Sequence, residues 1–417
     1  MMRSVFEIMK QAFERVVPAQ DGRTDISPLM FVVVLVFSYL GDSKTFSLEC
    51  IRRMMQNYLN TKISRSAFWE RLSRRRLKQH LRAVVAELMK AFSAKTLRCA
   101  KLLEQLKVTA ILVHDSSSIT LVEGAKARLP GTGSKAGIKW HACFNVLTGV
   151  VDWFRLTPSR THDRKCFPDL PLLKGKLILF DLGYFDYDLM LAIDNIGGFF
   201  LSRLKSNAVI SVVEVVQGLS KRALGKSLLS LALHRKKGEI IEAIVEKVCT
   251  AGTLRCRAIG FWNPVEKCYH WYLTNLTVAA CIIYPLYRFR WQIELIFKAC
   301  KNSLNANQIT SGDKNIIESL LLASIASHLC THTILTSSLT HLDEEQQQAI
   351  SFQRIAKVAV VLSREFVMFL LHRAKEHLDQ LLEKIKLFAS ELFDPNYKKR
   401  ETSLRRIYRM LELEAAT

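Results

Sequence analysis

"KLILFDLGYF", Lys176 to Phe185, decides the fold class: it reads as an apolar strand ending in an acid, Asp181. Helical "DYDLMLAID" (186–194) follows, and then a second strand, "GFFLSRLK" (198–205), which makes a strand–helix–strand unit. Upstream, "VTAILVHD" (108–115) is a β-branched run that also ends in an acid, Asp115. Between the two runs, "IKWHACFNV" and "VVDWFRLTP" flank "LTG" as a hairpin with Gly149 in the turn. Strand, hairpin and strand–helix–strand together predict a mixed α/β sheet. Residues 207–276 carry alternating segments ("AVISVVEVV", "EIIEAIVEKV", "CRAIGFW") and read as a mostly β insertion. Residues 1–104 and 313–417 read as helical regions, and 277–312 as a helical segment completing the sheet domain.

At 417 residues the chain is too long for one ordinary core, so two or three domains are expected. Its 49% apolar content and only 9 prolines argue for a folded protein. The run "LMFVVVLVFSYL", Leu29–Leu40, is too short to span a bilayer and lacks the flanks of a secretory signal; it reads as a buried helix. The ten cysteines are scattered with no Cys-x-x-Cys pair, which suits a reducing compartment better than a disulfide framework or zinc site. The net charge of +22 points to a polyanionic partner, nucleic acid being the commonest.

Near 47–80, "SLECIRRMMQNYLN", the break "TKIS" and "RSAFWERLSRRRLKQHL" give two helices with a tight connection, the second capped by Ser64 or Ser66. As a helix-turn-helix, Arg65, Ser66 and Trp69 would lie near a DNA groove and Arg74, Arg75 and Arg76 would meet phosphates. A plain helical hairpin with a solvated basic face fits the same residues equally well.

If the strands ending in Asp115 and Asp181 are parallel neighbours, their carboxylates meet at the carboxyl edge of the sheet, where open α/β sheets place their sites. Two close carboxylates repel unless a cation sits between them, and Mg²⁺ suits an oxygen-only site. A third acid lies in "YRFRWQIELIFKACKN", Tyr287 to Asn302. On an α-helix, Tyr287, Arg290, Glu294 and Lys301 fall within roughly a 60° arc, at about 100° per residue, while Ile293, Ile296, Phe297 and Cys300 point elsewhere. An exposed Arg290–Glu294–Lys298 ladder accounts for that face on geometry alone.

The spacing Tyr287-x₂-Arg290-x₃-Glu294-x₆-Lys301 resembles the Tyr-Arg-Glu-Lys signature of bacterial insertion-sequence DDE transposases, in the insertion sequence four family. "RWQIE", "AGIKWH", "FDLGYF" and "FLSRLK" match in the family's order, and the resemblance covers roughly residues 105 to 305. It implies a ribonuclease H-like mixed sheet with a β-rich insertion, flanked by helical N- and C-terminal regions. It also implies Asp115, Asp181 and Glu294 as the catalytic, metal-binding triad, with Mg²⁺ as the physiological ion and Mn²⁺ able to substitute. Tyr287, Arg290, Lys301, Trp291 and Lys139 are then expected on the DNA, beside Arg65 and Arg75 of the helical region. Asp186 and Asp188 are nearby alternatives to Asp181, whereas Asp152 and Asp163 are left as structural acids.

The implied function is a DNA transposase that cuts double-stranded DNA at the terminal inverted repeats of its element and joins the ends to a target. It would act as a homodimer when pairing two ends, in the bacterial cytoplasm at the nucleoid, with no membrane. The alternatives are an inactive DNA-binding descendant and a ribonuclease H-like nuclease without strand transfer. The retained acids argue against the first, since a binder has no need of three carboxylates near anionic DNA, where they repel phosphates unless metals neutralise them. Leucines at 378, 381, 382 and 387 suggest either self-association or a helix packed on its own domain.

Overall fold

The computed structural model describes residues 2–20, 25–38, 47–93, 100–231, 240–303, 307, 309–337, 350–372, 375–394, 396 and 403–415. One nine-stranded sheet organises the chain, in the order β3-β2-β1-β4-β5-β9-β8-β7-β6. Its first half comprises β1 (Ile111–Leu121), β2 (Ala136–Asn145), β3 (Val150–Pro158), β4 (Leu177–Phe180) and β5 (Phe199–Arg203). The hairpin partners run antiparallel, while β1, β4 and β5 run parallel. Gly149 turns the β2–β3 hairpin at φ +72°. This arrangement agrees with the mixed α/β sheet expected from the sequence.

The β-rich segment supplies β6 (Ser211–Gln217), β7 (Ile241–Cys249), β8 (Gly252–Asn263) and β9 (Cys268–Thr274). It is not a separate layer. Strand β9 pairs with β5 through Leu201↔Thr274, so the insertion continues the same sheet.

Helices cover both faces, as parallel strands require. Within β1, Ile111 and Val113 face one core and Leu112 the other; within β4, Leu177 and Leu179 face the first and Ile178 and Phe180 the second. The second face carries α7 (Tyr187–Asn195), whose Met190 and Ile193 are buried there. The first face carries the larger helical layer. It includes α1 (Met2–Glu14), α2 (Pro28–Ser38), α3 (Leu48–Leu59), α4 (Arg65–Ser73), α5 (Arg75–Ser93), α6 (Ala100–Leu106), α8 (Ala280–Tyr287), α9 (Trp291–Lys298) and α10 (Lys314–Ser337).

The N- and C-terminal helices share this layer. Helix α10 packs against α1, α2, α4 and α5 and against the later helix Phe352–Val361. Lys78 of α5 pairs with Glu318 of α10 at 3.0 Å, Tyr58 bonds Ser363 at 3.0 Å, and Phe37 stacks on Phe366 at 5.1 Å. Helix α10 is the one described helix long and apolar enough to cross a membrane, and the protein buries its apolar stretch, leaving only its ends partly exposed. The apolar run at Leu29–Leu40 is a buried helix through Ser38, and Tyr39 and Leu40 lie outside the described residues. Of the four C-terminal leucines, Leu378 and Leu381 are buried in the chain's own core, whereas Leu387 is 74% exposed. The helix is therefore packed on its own chain, as in the second of the two expectations.

Candidate active site

The pairing of β1 with β4 ends at His114↔Phe180, so Asp115 and Asp181 are the next residues of two neighbouring parallel strands. Side chains at one level of a parallel pair point to the same face, and here that face carries α9. The expectation that parallel pairing brings the two carboxylates together therefore holds, with one difference. Asp115 is not a strand end: β1 runs on to Leu121 by pairing with β2, from Asp115↔Ala142 to Leu121↔Ala136. Asp181 leaves its strand at once. Its Oδ1 accepts the Gly183 N–H at 2.7 Å, which closes the tight turn Leu182–Tyr184. A Cβ on Gly183 would sit 3.0 Å from that oxygen, so a side chain there would press on the Asp181 carboxylate.

Helix α9 delivers the third acid. Ile293, Ile296 and Phe297 are buried against the sheet, and Phe297 meets Trp140 of β2 edge-to-face at 4.9 Å. The stretch is not the single straight helix expected. Residues Arg288–Arg290 form a tight 3₁₀ turn, and Ala299–Ser303 a wide π turn. The π turn changes the angular register of Lys301, whose Nζ donates to the Ser118 carbonyl of β1 at 2.7 Å. Tyr287 packs its ring 5.1 Å from that of Tyr272 and lies within electrostatic reach of Asp181, Asp115, Arg290 and Arg203. Burial and these acids push its phenol up to about 12. Trp291 stands 58% exposed.

Arg290 joins two of the acids. Its Nη1 donates to Asp115 Oδ2 at 3.0 Å and its Nη2 to Glu294 Oε1 at 2.7 Å. The Arg290–Glu294 half of the i,i+4 ladder thus exists, while the guanidinium reaches on to the sheet. Burial, then the charge of Asp181, raises the Asp115 carboxyl to about 7; Glu294 adds to the rise, and the Ser116 N–H and Arg290 oppose it.

The neighbouring acids have other tasks. Asp186 caps α7 by accepting the N–H groups of Asp188 and Leu189, and it pairs with Arg164. Asp188 accepts the Thr250 N–H at 2.7 Å. Both therefore anchor backbone, which leaves Asp181 as the acid in register with Asp115. Asp152 is held by burial, and its carboxyl is raised above the usual range.

Behind the acids, on the opposite face of β1 and β2, lies a polar network around Asp163. Asp163 Oδ1 accepts from Ser116 Oγ at 3.0 Å and from Lys139 Nζ at 2.9 Å. Burial raises the Asp163 carboxyl, but the Lys139 ammonium and Ser116 hydroxyl outweigh it and hold the group below its usual range. Lys139, expected on the DNA, is thus engaged inside the protein, and it also donates to Thr161 O at 3.0 Å. His141 bonds Tyr184 Oη at 3.0 Å and Thr157 Oγ1 at 2.9 Å, and His114 bonds Cys166 O at 2.9 Å. Burial pushes His114 down to about 3 and His141 to about 4, so both imidazoles are neutral at pH 7.

In the helical layer, Ser64 caps α4 by accepting the Ala67 N–H, and Asn60 ends α3 in the left-handed conformation. Arg65 and Arg75 are exposed, and among the described residues neither bonds to the acid cluster. Trp69 packs against the core.

The family model described as transposase DDE domain matches residues 107–330. A transposase for insertion sequence element IS1151 of Clostridium perfringens is 25% identical over 284 residues, covering 58% of this chain and 60% of that one. A transposase for insertion sequence element IS231F of Bacillus thuringiensis subsp. israelensis is 21% identical over 312 residues, covering 62% and 65%. The chain thus spans less than two thirds of the length of these curated relatives. A solved piggyBac transposase synaptic complex with hairpin DNA is 11% identical, with a TM-score of 0.45 over 92% of this chain and 85% of that one.

Proposed function

Because the chain belongs to the transposase DDE domain family, we propose that it is a DNA transposase that cuts DNA at the ends of an insertion element and joins them to a target. The observation that supports this most directly is the meeting of three acids from distant parts of the chain, Asp115, Asp181 and Glu294, with Arg290 between two of them. Their carboxylates form an oxygen-only donor set, and their mutual repulsion is what a divalent cation would relieve. Mg²⁺ fits such donors, with Mn²⁺ able to replace it. When bound by these three residues, divalent ions would activate a water or 3′-hydroxyl and stabilise the leaving oxygen in an in-line displacement at phosphorus.

The chain's own cations and aromatics then act on the DNA. Arg290 offers a planar fork that a phosphate can share, and Lys301 a point charge held near β1. Trp291 presents an exposed ring, and Tyr287 lies within electrostatic reach of Asp181 and Asp115. Arg65 and Arg75, exposed on the helical layer, would hold phosphates farther along the duplex. A net charge of +22 supports this polyanionic partner. Pairing two element ends calls for two copies of the chain, so a homodimer on DNA, acting at the bacterial nucleoid, completes the reading.

The test is Asp181→Asn. The variant should lose Mg²⁺-dependent cleavage of DNA carrying the inverted repeats that flank the gene, and bind that DNA as well as the wild type or better. Normal cleavage by the variant would refute the assignment.

A further inference from the structure

We propose that Asp163 is a positioning residue that sets the spacing of Asp115 and Asp181 from behind the sheet, through Ser116, Lys139 and Gly183. The proposal rests on the catalytic reading of those two acids. The ladder between β1 and β4 stops at His114↔Phe180, one residue short of the acids. Beyond it β1 is paired only with β2, and Asp181 has entered its own turn. No strand hydrogen bond therefore sets the distance between the two carboxylates, although a metal site needs it held within a fraction of an ångström.

Asp163 spans that gap. It lies in the short turn Asp163–Lys165 after β3. One of its oxygens takes the hydroxyl of Ser116, the residue after Asp115, at 3.0 Å, and the Lys139 ammonium of β2 at 2.9 Å. The other faces Gly183: a Cβ there would lie 3.4 Å from Asp163 Oδ2 and 3.0 Å from Asp181 Oδ1. Arg164 of the same turn pairs with Asp186, the cap of α7, so the turn is fastened on the Asp181 side as well. Ser116 and Lys139 point away from the face that carries Asp115, so these two reach that acid through backbone, while the Asp163 carboxylate itself approaches Asp181 across Gly183. Outer groups of this kind commonly change metal affinity by about 10- to 100-fold when removed.

The experiment measures Mn²⁺ binding to the full chain by electron paramagnetic resonance, beside the metal half-saturation of DNA cleavage. Asp163→Ala should weaken Mn²⁺ binding by about 10-fold or more and raise the half-saturation in parallel, with the salt slope of DNA binding unchanged. Asp163→Asn, which keeps an acceptor for Ser116, should fall between that variant and the wild type. Ser116→Ala removes a single hydroxyl and serves if Asp163→Ala does not fold; it should weaken Mn²⁺ binding by a few-fold. Gly183→Ala should do the same from the opposite side. Folded Asp163→Ala and Ser116→Ala proteins with Mn²⁺ affinity within twofold of wild type would overturn the proposal. So would a Lys139→Met protein that loses salt slope but keeps its Mn²⁺ affinity. If the wild type binds Mn²⁺ yet cuts no DNA, the transposase reading fails while the binding series still decides the role of Asp163.

Discussion

Replacing Asp115 by asparagine should remove cleavage and, in the absence of divalent ions, stabilise the fold. The Asp115 carboxyl titrates near 7 in the folded protein, against 3.8 for a free side chain, because burial and then Asp181 oppose its charge. Between those values the folded protein holds a proton that the unfolded chain has released. Wild-type stability at this site therefore falls as pH rises through that window and is level above it. Roughly 3 pH units at about 1.4 kcal/mol each sets an upper limit of about 4 kcal/mol. That net shift already contains the attraction to Arg290, 3.0 Å away, but an asparagine NH2 fits less well beside the guanidinium than a protonated carboxyl, so about 2 kcal/mol is the lower figure. With an unfolding entropy of about 2.1 cal/mol/K per residue, a gain of that size raises the melting temperature of this 417-residue chain by about 2–5 °C. The assay is thermal unfolding of both proteins with a chelator present, at steps from pH 4 to pH 8.5. The gain should be full above pH 7 and shrink steadily toward pH 4. A gain that ignores pH, or a loss at pH 8.5, would refute the reasoning.

Two further outcomes follow from local geometry. Gly149→Ala should cost about 2–4 kcal/mol in denaturant unfolding, because the turn sits at φ +72° and the new Cβ would meet His332 Nε2 at 2.1 Å. Gly124→Ala, with nothing within 4 Å, is the control and should change little. Lys301→Ala should weaken DNA binding and reduce the salt slope by about 1; an unchanged slope removes Lys301 from the phosphate contacts.

How far the sequence was readable depended on the range of the forces involved. The β4 strand and its acid could be read because an apolar run is a local signal, and the register of Asp115 with Asp181 followed once the strands were taken as parallel. The continuation of β1 through "SSSIT" could not, since those serines owe their strand conformation to β2 rather than to their own pattern. Glu294 stood out from spacing, but the π turn that re-aims Lys301 leaves no mark in composition. Neither the place of Asp163 behind the sheet nor its pairing with Lys139 can be read from the sequence, for one reason. Its partners lie 47 and 24 residues away, so only the folded sheet reveals that the two charges face each other. The helical regions were recognised as helical, yet nothing local says which stripe of α2 or α5 meets α10.

The shared helical layer has a consequence for the order in which the chain is made. Phe6 rests against Phe369, Phe37 against Phe366 and Lys78 against Glu318, so these groups wait for partners that lie hundreds of residues later in the chain. Until α10 and its successors leave the ribosome, the apolar stripe Val32–Phe37 is covered only in part, by α1, α3 and α5. Closing such long loops is slow in general. A nascent chain stopped before Lys314 would therefore hold the strands bearing Asp115 and Asp181 while lacking the spine on which its first helices pack.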